Sequence, residues 1–363
     1  MGAAIKGIVV VIVLVISFTA VYYAVEETNL FSGVNSTTTY QIPSDIITNF
    51  SRNFTFTSSQ SFTFYLTPTI TNSLQQCTVT ASYSSNVNMS SKYSENRVYW
   101  AFLVNPGNSY INVNYNVNSH GASWQNLENS AAVPSEIPSS LKLQYDHSEY
   151  FNSSNSNLEV INPPFFKSLT QNLTSNDTTV VEKLRSIYDY IVQNYRYNIT
   201  YNLGNVPLSA QQVYMLKEGD CEELSYLFES MSRSIGIPSW TQYGILVQEN
   251  NGLASMGEHA WVQTYIPLSN TTGTLANIDL TVEVGGQDVG RGFLVKYPNS
   301  LIEWTDNGNS SAMVSYHTEL VASSGIQITE RENDVILSFN QNGSIALVQD
   351  NIFNLIMSNT SRE

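Results

Sequence analysis

The sequence predicts an α+β chain, with an all-β sandwich in its first half and a helices-then-strands domain in its second. Three observations carry this. Short runs alternating at period two fill residues 45–145, apolar residues at helical spacing begin at Thr179, and an uncharged run, Gly7 to Val25, precedes both. Charged residues are only 12% of the 363, about half the roughly 25% of an average domain, yet 42% are hydrophobic and 12% aromatic. The chain therefore has core-forming material and is not a charge-rich disordered protein, and its length suggests about two domains. Its formal charge of −15, from 15 Lys+Arg against 30 Asp+Glu, comes with no clustered basic residues, which excludes nucleic acid as a partner.

Residues 1–27 read as a membrane anchor. At about 1.5 Å per residue, Gly7–Val25 is near the minimum that spans a hydrocarbon core. Lys6 and the amino terminus lie before it and Glu26 and Glu27 after it, which predicts a single-pass segment with the N-terminus cytoplasmic and the bulk extracytoplasmic. Tyr22 and Tyr23 fall where an interfacial aromatic pair would sit. A signal-peptide cut after Ala20 or Ala24 would leave Phe18 or Tyr22 three residues from the cut, against the small-residue rule. Lys6-Gly7 before the apolar run resembles a prepilin-type site of archaeal surface proteins, and that cut would keep the helix. Twelve Asn-x-Ser/Thr sites, from Asn35 to Asn359, suit a glycosylated exterior protein, although a chain so rich in Asn, Ser and Thr also matches by chance.

Residues 28–44 form a polar stalk, and 45–148 the sandwich. Its strands include Phe50–Thr57, Phe62–Leu66, Cys77–Tyr83, Val98–Val104 and Tyr110–Val117, where β-branched and aromatic residues alternate with polar ones. Residues 146–178 read as a polar connector containing Pro163-Pro164. Thr179-Val-Val-Glu182 is a capping box, followed by Val181, Leu184, Tyr188, Ile191 and Tyr195 on one helical face. Ser209-Ala-Gln-Gln212 opens a shorter helix that Gly219 closes. A third helix starts at Asp220 and stops at Gly236 with Pro238 beyond. Strand-like runs follow at Tyr243–Gln248, His259–Ile266, Ile278–Val284 and Met313–Leu320. The domain thus spans 149–320, and 321–363 is a C-terminal β-rich tail.

The chemistry gathers at the third helix. With Asp220 as N-cap and Glu223 at N3, Cys221 takes the first helical position, where the helix dipole favours a thiolate. Asp220, Glu222 and Glu223 oppose this, so a histidine partner is needed. His259 shares a strand face with Trp261 and Gln263, and Asp279 on the neighbouring strand would orient its imidazole. Cys221, His259 and Asp279 thus form a nucleophile, base and orienter. Arg233 reads as a solvated helix residue, and Trp261 and Tyr265 as core. His120, His147 and His317 lack a motif. No zinc, iron or calcium pattern appears, so neither metal nor cofactor is expected.

Gly219-Asp-Cys221-Glu-Glu-Leu-Ser-Tyr-Leu-Phe228 with Met231-Ser-Arg-Ser-Ile-Gly-Ile-Pro238 resembles the nucleophile helix of the transglutaminase-like superfamily. Glu258-His-Ala-Trp-Val262 resembles its histidine strand and Ile278-Asp-Leu-Thr281 its aspartate strand. Ile187–Tyr197 is similar to the preceding helix and Trp304–Gly308 to the following strand and turn. The resemblance covers about residues 155–320. It implies a papain-like α+β core and a Cys-His-Asp triad at Cys221, His259 and Asp279. Glu222 departs from the family, where a small residue is common, as does Val282, where a Pro-containing turn is often found.

Prokaryotic members of the family point to a peptidase-like hydrolase acting on a protein or peptide at the cell surface. Transamidation of envelope proteins by the same thioester stays open, as does a non-catalytic adhesion or scaffold role. A Cys77–Cys221 disulfide would favour the last. The oligomeric state is not readable, nor is a second oxyanion donor beside the Cys221 N–H. The charges are uneven: many lie between Glu182 and Arg233, while the β half is nearly neutral. An acidic exterior, where the carboxylates would be protonated, is a natural setting for such a surface.

Overall fold

Alternation of apolar and polar side chains lays the first half of the chain down as strands. The computed structural model describes residues 38–351, apart from 95–96, 130, 154–155, 200–205, 251–252, 269–271, 283–287, 290, 310–316 and 324–325. The expected anchor, with most of the stalk, lies outside the described residues, among which no helix is long and apolar enough to cross a membrane.

Along the chain come β1 (Thr38–Ile42), β2 (Asp45–Ser58), β3 (Phe62–Leu66), β4 (Gln75–Tyr83), β5 (Val87–Ser94), β6 (Arg97–Val104), β7 (Gly107–His120) and β8 (Ala122–Ser123). Helix α1 (Ser139–Tyr145), the hairpin β9 (Glu149–Ser153) and β10 (Ser156–Ile161), and helices α2 (Pro163–Leu173) and α3 (Val180–Asn194) follow. Next are β11 (Arg196–Tyr197), α4 (Ala210–Leu216), β12 (Glu218–Gly219) and α5 (Cys221–Ser234). The chain continues as β13 (Ser239–Asn250), β14 (Leu253–Leu268), β15 (Thr272–Ile278), β16 (Asp288–Val289), β17 (Val295–Lys296) and β18 (Ser300–Thr305). The last strands are β19 (Thr318–Val321), β20 (Ile328–Asn342) and β21 (Ile345–Asn351).

Two four-stranded sheets, ordered β20-β2-β7-β4 and β19-β3-β6-β5, pack face to face. Their inner faces bring together Phe50, Phe54, Phe56, Phe64, Phe102 and Tyr115, all buried. Phe50 stacks on Tyr115 at 4.4 Å, and Phe54 meets Phe64 at 4.7 Å across the sandwich. Each such ring contributes about 1.5–3 kcal/mol of burial.

Residues after 320 do not form a separate tail. Strand β20 pairs with β2 from Asp45↔Asn342 to Ser58↔Ile328, β19 pairs with β3, and β21 with β1. A long outer strand such as β2 would otherwise present a row of unpaired backbone groups, and the C-terminal strand closes that edge. Thr318–Leu320, at the end of the expected run Met313–Leu320, accordingly belongs to the sandwich rather than to the second domain's sheet, and 313–316 lie outside the described residues. Residues 146–178 are also more ordered than a connector. Pro163 and Pro164 occupy the first turn of α2, where a missing N–H costs nothing, and Asn162 Oδ1 caps it by accepting from Phe165 N–H at 3.1 Å.

In the second half, capping boxes start α3 at Thr179/Glu182 and α4 at Ser209/Gln212. Helix α4 ends on Lys217 in the left-handed conformation (φ 62°) rather than at Gly219. Gly219 lies in β12, where a Cβ would come within 3.1 Å of Glu223 Cβ. Helix α5 packs against the sheet β15-β14-β13-β18. Ile245 and Val247 of β13 and Leu301 of β18 join the sandwich core, so the halves share apolar packing.

Beneath α5, Arg233 is fully buried rather than solvated. Its guanidinium pairs with Glu149, with Glu229 at 3.0 Å and with Asp306 at 3.7 Å, and its Nε donates to Ser239 O at 2.8 Å. One cation facing three carboxylates leaves two negative charges over, so the pocket retains protons. Burial pushes Glu229 and Asp306 well above the carboxylate range, Glu149 adding to the effect on Asp306. Burial also raises Asp146 to about 6, Asp334 to about 7 and, with the Asp220 charge, Glu223 to about 7.

A carboxyl with a raised folded pKa stabilises below its unfolded value, and that contribution is lost as pH rises through the folded value. Asp45, Glu182 and Asp279, whose pKa values are lowered, lose their contribution only as pH falls below the ordinary range. Melting temperature followed by circular dichroism should therefore fall as pH is raised from 4.5 to about 7. A steady rise over that window would contradict the assignment.

Candidate active site

Helix α5 begins with a buried capping box. Asp220 Oδ1 accepts from the N–H groups of Glu222 at 3.0 Å and Glu223 at 3.1 Å. Glu223 Oε2 accepts from Asp220 N–H at 3.0 Å, and its Oε1 from Leu208 N–H at 2.8 Å. Cys221 is the first helical residue, and no acceptor for its N–H is found among the described residues. Its side chain packs against Tyr243, Ala260 and Trp304. Both cysteines are free: Cys77 lies on β4 with its sulfur 2.7 Å from Thr69 Oγ1, so the alternative disulfide is not formed.

The helix dipole does not win at this thiol. Burial pushes the Cys221 pKa well above the ordinary range, Asp220 adds to this, the Ala260 N–H pulls it down, and Glu222 and Asp279 raise it further. Without substrate, Cys221 is a neutral thiol. Glu222, the departure next to the nucleophile, is itself buried and is bonded by the hydroxyl of Tyr226 and by that of Tyr243 at 3.5 Å.

His259 and Asp279 are brought together. Val262 of β14 faces Ile278 of β15, and the carboxylate one residue beyond meets the imidazole, His259 Nε2 to Asp279 Oδ2 at 2.8 Å. With Nε2 engaged by the carboxylate, Nδ1 carries the lone pair that a base requires. Asp279 is not inside a strand as expected, because β15 stops at Ile278 and Leu280–Val282 form a 3-10 turn. Its Oδ1 instead accepts from Thr281 N–H at 3.0 Å and Thr281 Oγ1 at 2.7 Å, a local side-chain turn that competes with the ladder. Its own N–H donates to Gly292 O at 2.8 Å, and a Cβ on Gly292 would lie 1.9 Å from Asp279 O, so only glycine fits there. Burial works to raise the Asp279 pKa, but the facing His259 and the Thr281 bonds outweigh it and hold it below the usual range.

Trp261 tilts against His259 with ring centres 5.5 Å apart. Its Nε1 donates to Gln242 Oε1 at 2.9 Å, which also accepts from Asn277 Nδ2 at 2.6 Å. Gln242 carries no sequence motif. Thr281 was legible in principle, since Asp-x-Thr is a turn signal. A free thiol packed against Ala260, the residue after a histidine held by a carboxylate, is an arrangement of the kind that nucleophilic acyl transfer uses. Alkylation of Cys221 by iodoacetamide, read against pH in the substrate-free protein, should therefore show a midpoint above the ordinary thiol value of 9.0. A midpoint below neutrality would reveal a preformed thiolate–imidazolium pair instead.

Residues 167–272 match the family model of the Transglutaminase-like superfamily, a span that includes Cys221 and His259 and ends before Asp279. Among solved structures, a candidate cysteine protease from Cytophaga hutchinsonii is similar over 86% of this chain and 100% of its own, with TM-score 0.56 and 12% identity. The periplasmic domain of TgpA from Pseudomonas aeruginosa aligns over 70% of this chain and 73% of its own, with TM-score 0.35 and 13% identity. Red sea bream transglutaminase aligns over 66% and 50%, with TM-score 0.30 and 11% identity. No curated protein matches the sequence. Residues 167–272 thus match a transglutaminase-like core, here built of helices and antiparallel sheet within a fold made mostly of strands.

Proposed function

We propose that this chain is a cysteine hydrolase of the transglutaminase-like type, held at the cell surface by residues 7–25 and cleaving peptide or amide bonds. The observation that carries this reading is the 2.8 Å bond from His259 Nε2 to Asp279 Oδ2, together with a free thiol at a helix start packed against the adjoining Ala260. Nδ1 of His259 takes the Cys221 proton as sulfur adds to the carbonyl carbon, and the carbonyl π pair moves onto oxygen. The Cys221 N–H, left without an acceptor by the capping box, donates to that oxyanion. Collapse re-forms the carbonyl and breaks the C–N bond, and His259 returns its proton to the departing amine. Water then resolves the thioester. Asp279 stays ionised throughout and holds the imidazolium in place.

Incubation with a Gln-containing peptide and a labelled primary amine tests the reading. The expected result is peptide cleavage or ammonia release without amine incorporation, abolished by Cys221→Ala. Incorporation of the amine would reassign the chain as a transamidase. Turnover that is absent, or unchanged by Cys221→Ala, would leave a non-catalytic surface module.

A further inference from the structure

Acyl transfer at Cys221, the reading on which this inference rests, places negative charge on the carbonyl oxygen, and two donors there stabilise it far better than one. Helix α5 offers the Cys221 N–H. Its next two N–H groups are taken by Asp220 Oδ1, so a second donor must come from outside the helix.

We infer that the hydroxyl of Tyr197 is this second donor. Strand β11 runs parallel to β12 with Tyr197 opposite Gly219, two residues before the nucleophile. Arg196 N–H donates to Lys217 O at 3.0 Å and Asn198 N–H to Gly219 O at 2.9 Å, which ties this segment to the start of α5. The Tyr197 hydroxyl lies close enough to Cys221, Asp220 and Asp279 for their charges to act on it. Burial around the hydroxyl, followed by those charges, raises its pKa, so it stays a proton-bearing donor. The residue as a whole is 48% exposed. When sulfur adds to a carbonyl, charge moves from sulfur to the oxygen on the same carbon, and a donor within reach of that sulfur needs only a small shift to follow. Tyr197 donates a hydrogen bond and no proton. The proton taken from the thiol stays on His259 until the leaving group departs.

Tyr197→Phe keeps the ring and removes only the donor. Two reactions of Cys221 separate the possible roles. Acetylation by p-nitrophenyl acetate passes through an oxyanion, whereas alkylation by iodoacetamide displaces iodide at a saturated carbon and forms none. The variant should acetylate about 10²- to 10³-fold more slowly, the loss typical of one oxyanion donor, while its alkylation rate stays close to that of the unaltered protein. Acetylation that is unchanged, or a parallel fall in both rates, overturns the assignment to Tyr197 and leaves the hydrolase reading standing. Failure of the unaltered protein to acetylate at Cys221 overturns the thiol-enzyme reading itself, and this inference with it.

Discussion

The site depends on how helix α5 begins. A capping box satisfies the first turn's amides with two carboxylates, and here both are buried against the sheet. Such a cap contributes about 1 kcal/mol, but its geometric effect matters more. Asp220 claims two amides, Glu223 reaches back to Asp220 and across to Leu208, and neither carboxylate takes the Cys221 amide. Gly219 lets the preceding strand approach Glu223 closely, and that strand carries the partner of Tyr197. One local motif therefore positions the nucleophile, its amide and the segment beside it.

The same carboxylates make the thiol reluctant to ionise. Dipole and acids oppose each other at Cys221, and burial decides in favour of the neutral form. On the proposed reading, the charge separation is created during the reaction and stabilised by His259 and Asp279. Acidity runs through the whole second half: the Arg233 cluster holds more carboxylates than its cation can neutralise, and Glu223 sits near neutrality. Burial thus holds these carboxyls against ionisation, which gives the uneven charge of the sequence a structural counterpart.

What could be read from the sequence was what is local. The caps at Thr179, Ser209 and Asp220 lie within three residues of their partners, and each forms as expected. Alternation located β2, β3 and β7 because one face of each is buried. Order along the chain was enough to pair His259 with Asp279. What escaped depends on distant partners. Arg233 looks like a solvated helix residue until Glu149, Glu229 and Asp306 enclose it. The closing of the sandwich by β20 cannot be seen from β2 alone. Tyr197 gains its place only through the pairing of β11 with β12, and Asp279 leaves the strand because Thr281 offers its carboxylate a better partner.

The central claim is that His259 and Asp279 act on Cys221 as one unit. A double-mutant cycle on the rate of Cys221 acylation, with His259→Gln, Asp279→Asn and the pair, measures this directly. If Asp279 works only by holding His259 through Nε2, the double variant is no slower than His259→Gln alone, and the two losses are strongly non-additive. Losses that simply add would show that Asp279 acts independently of the histidine and would contradict the account.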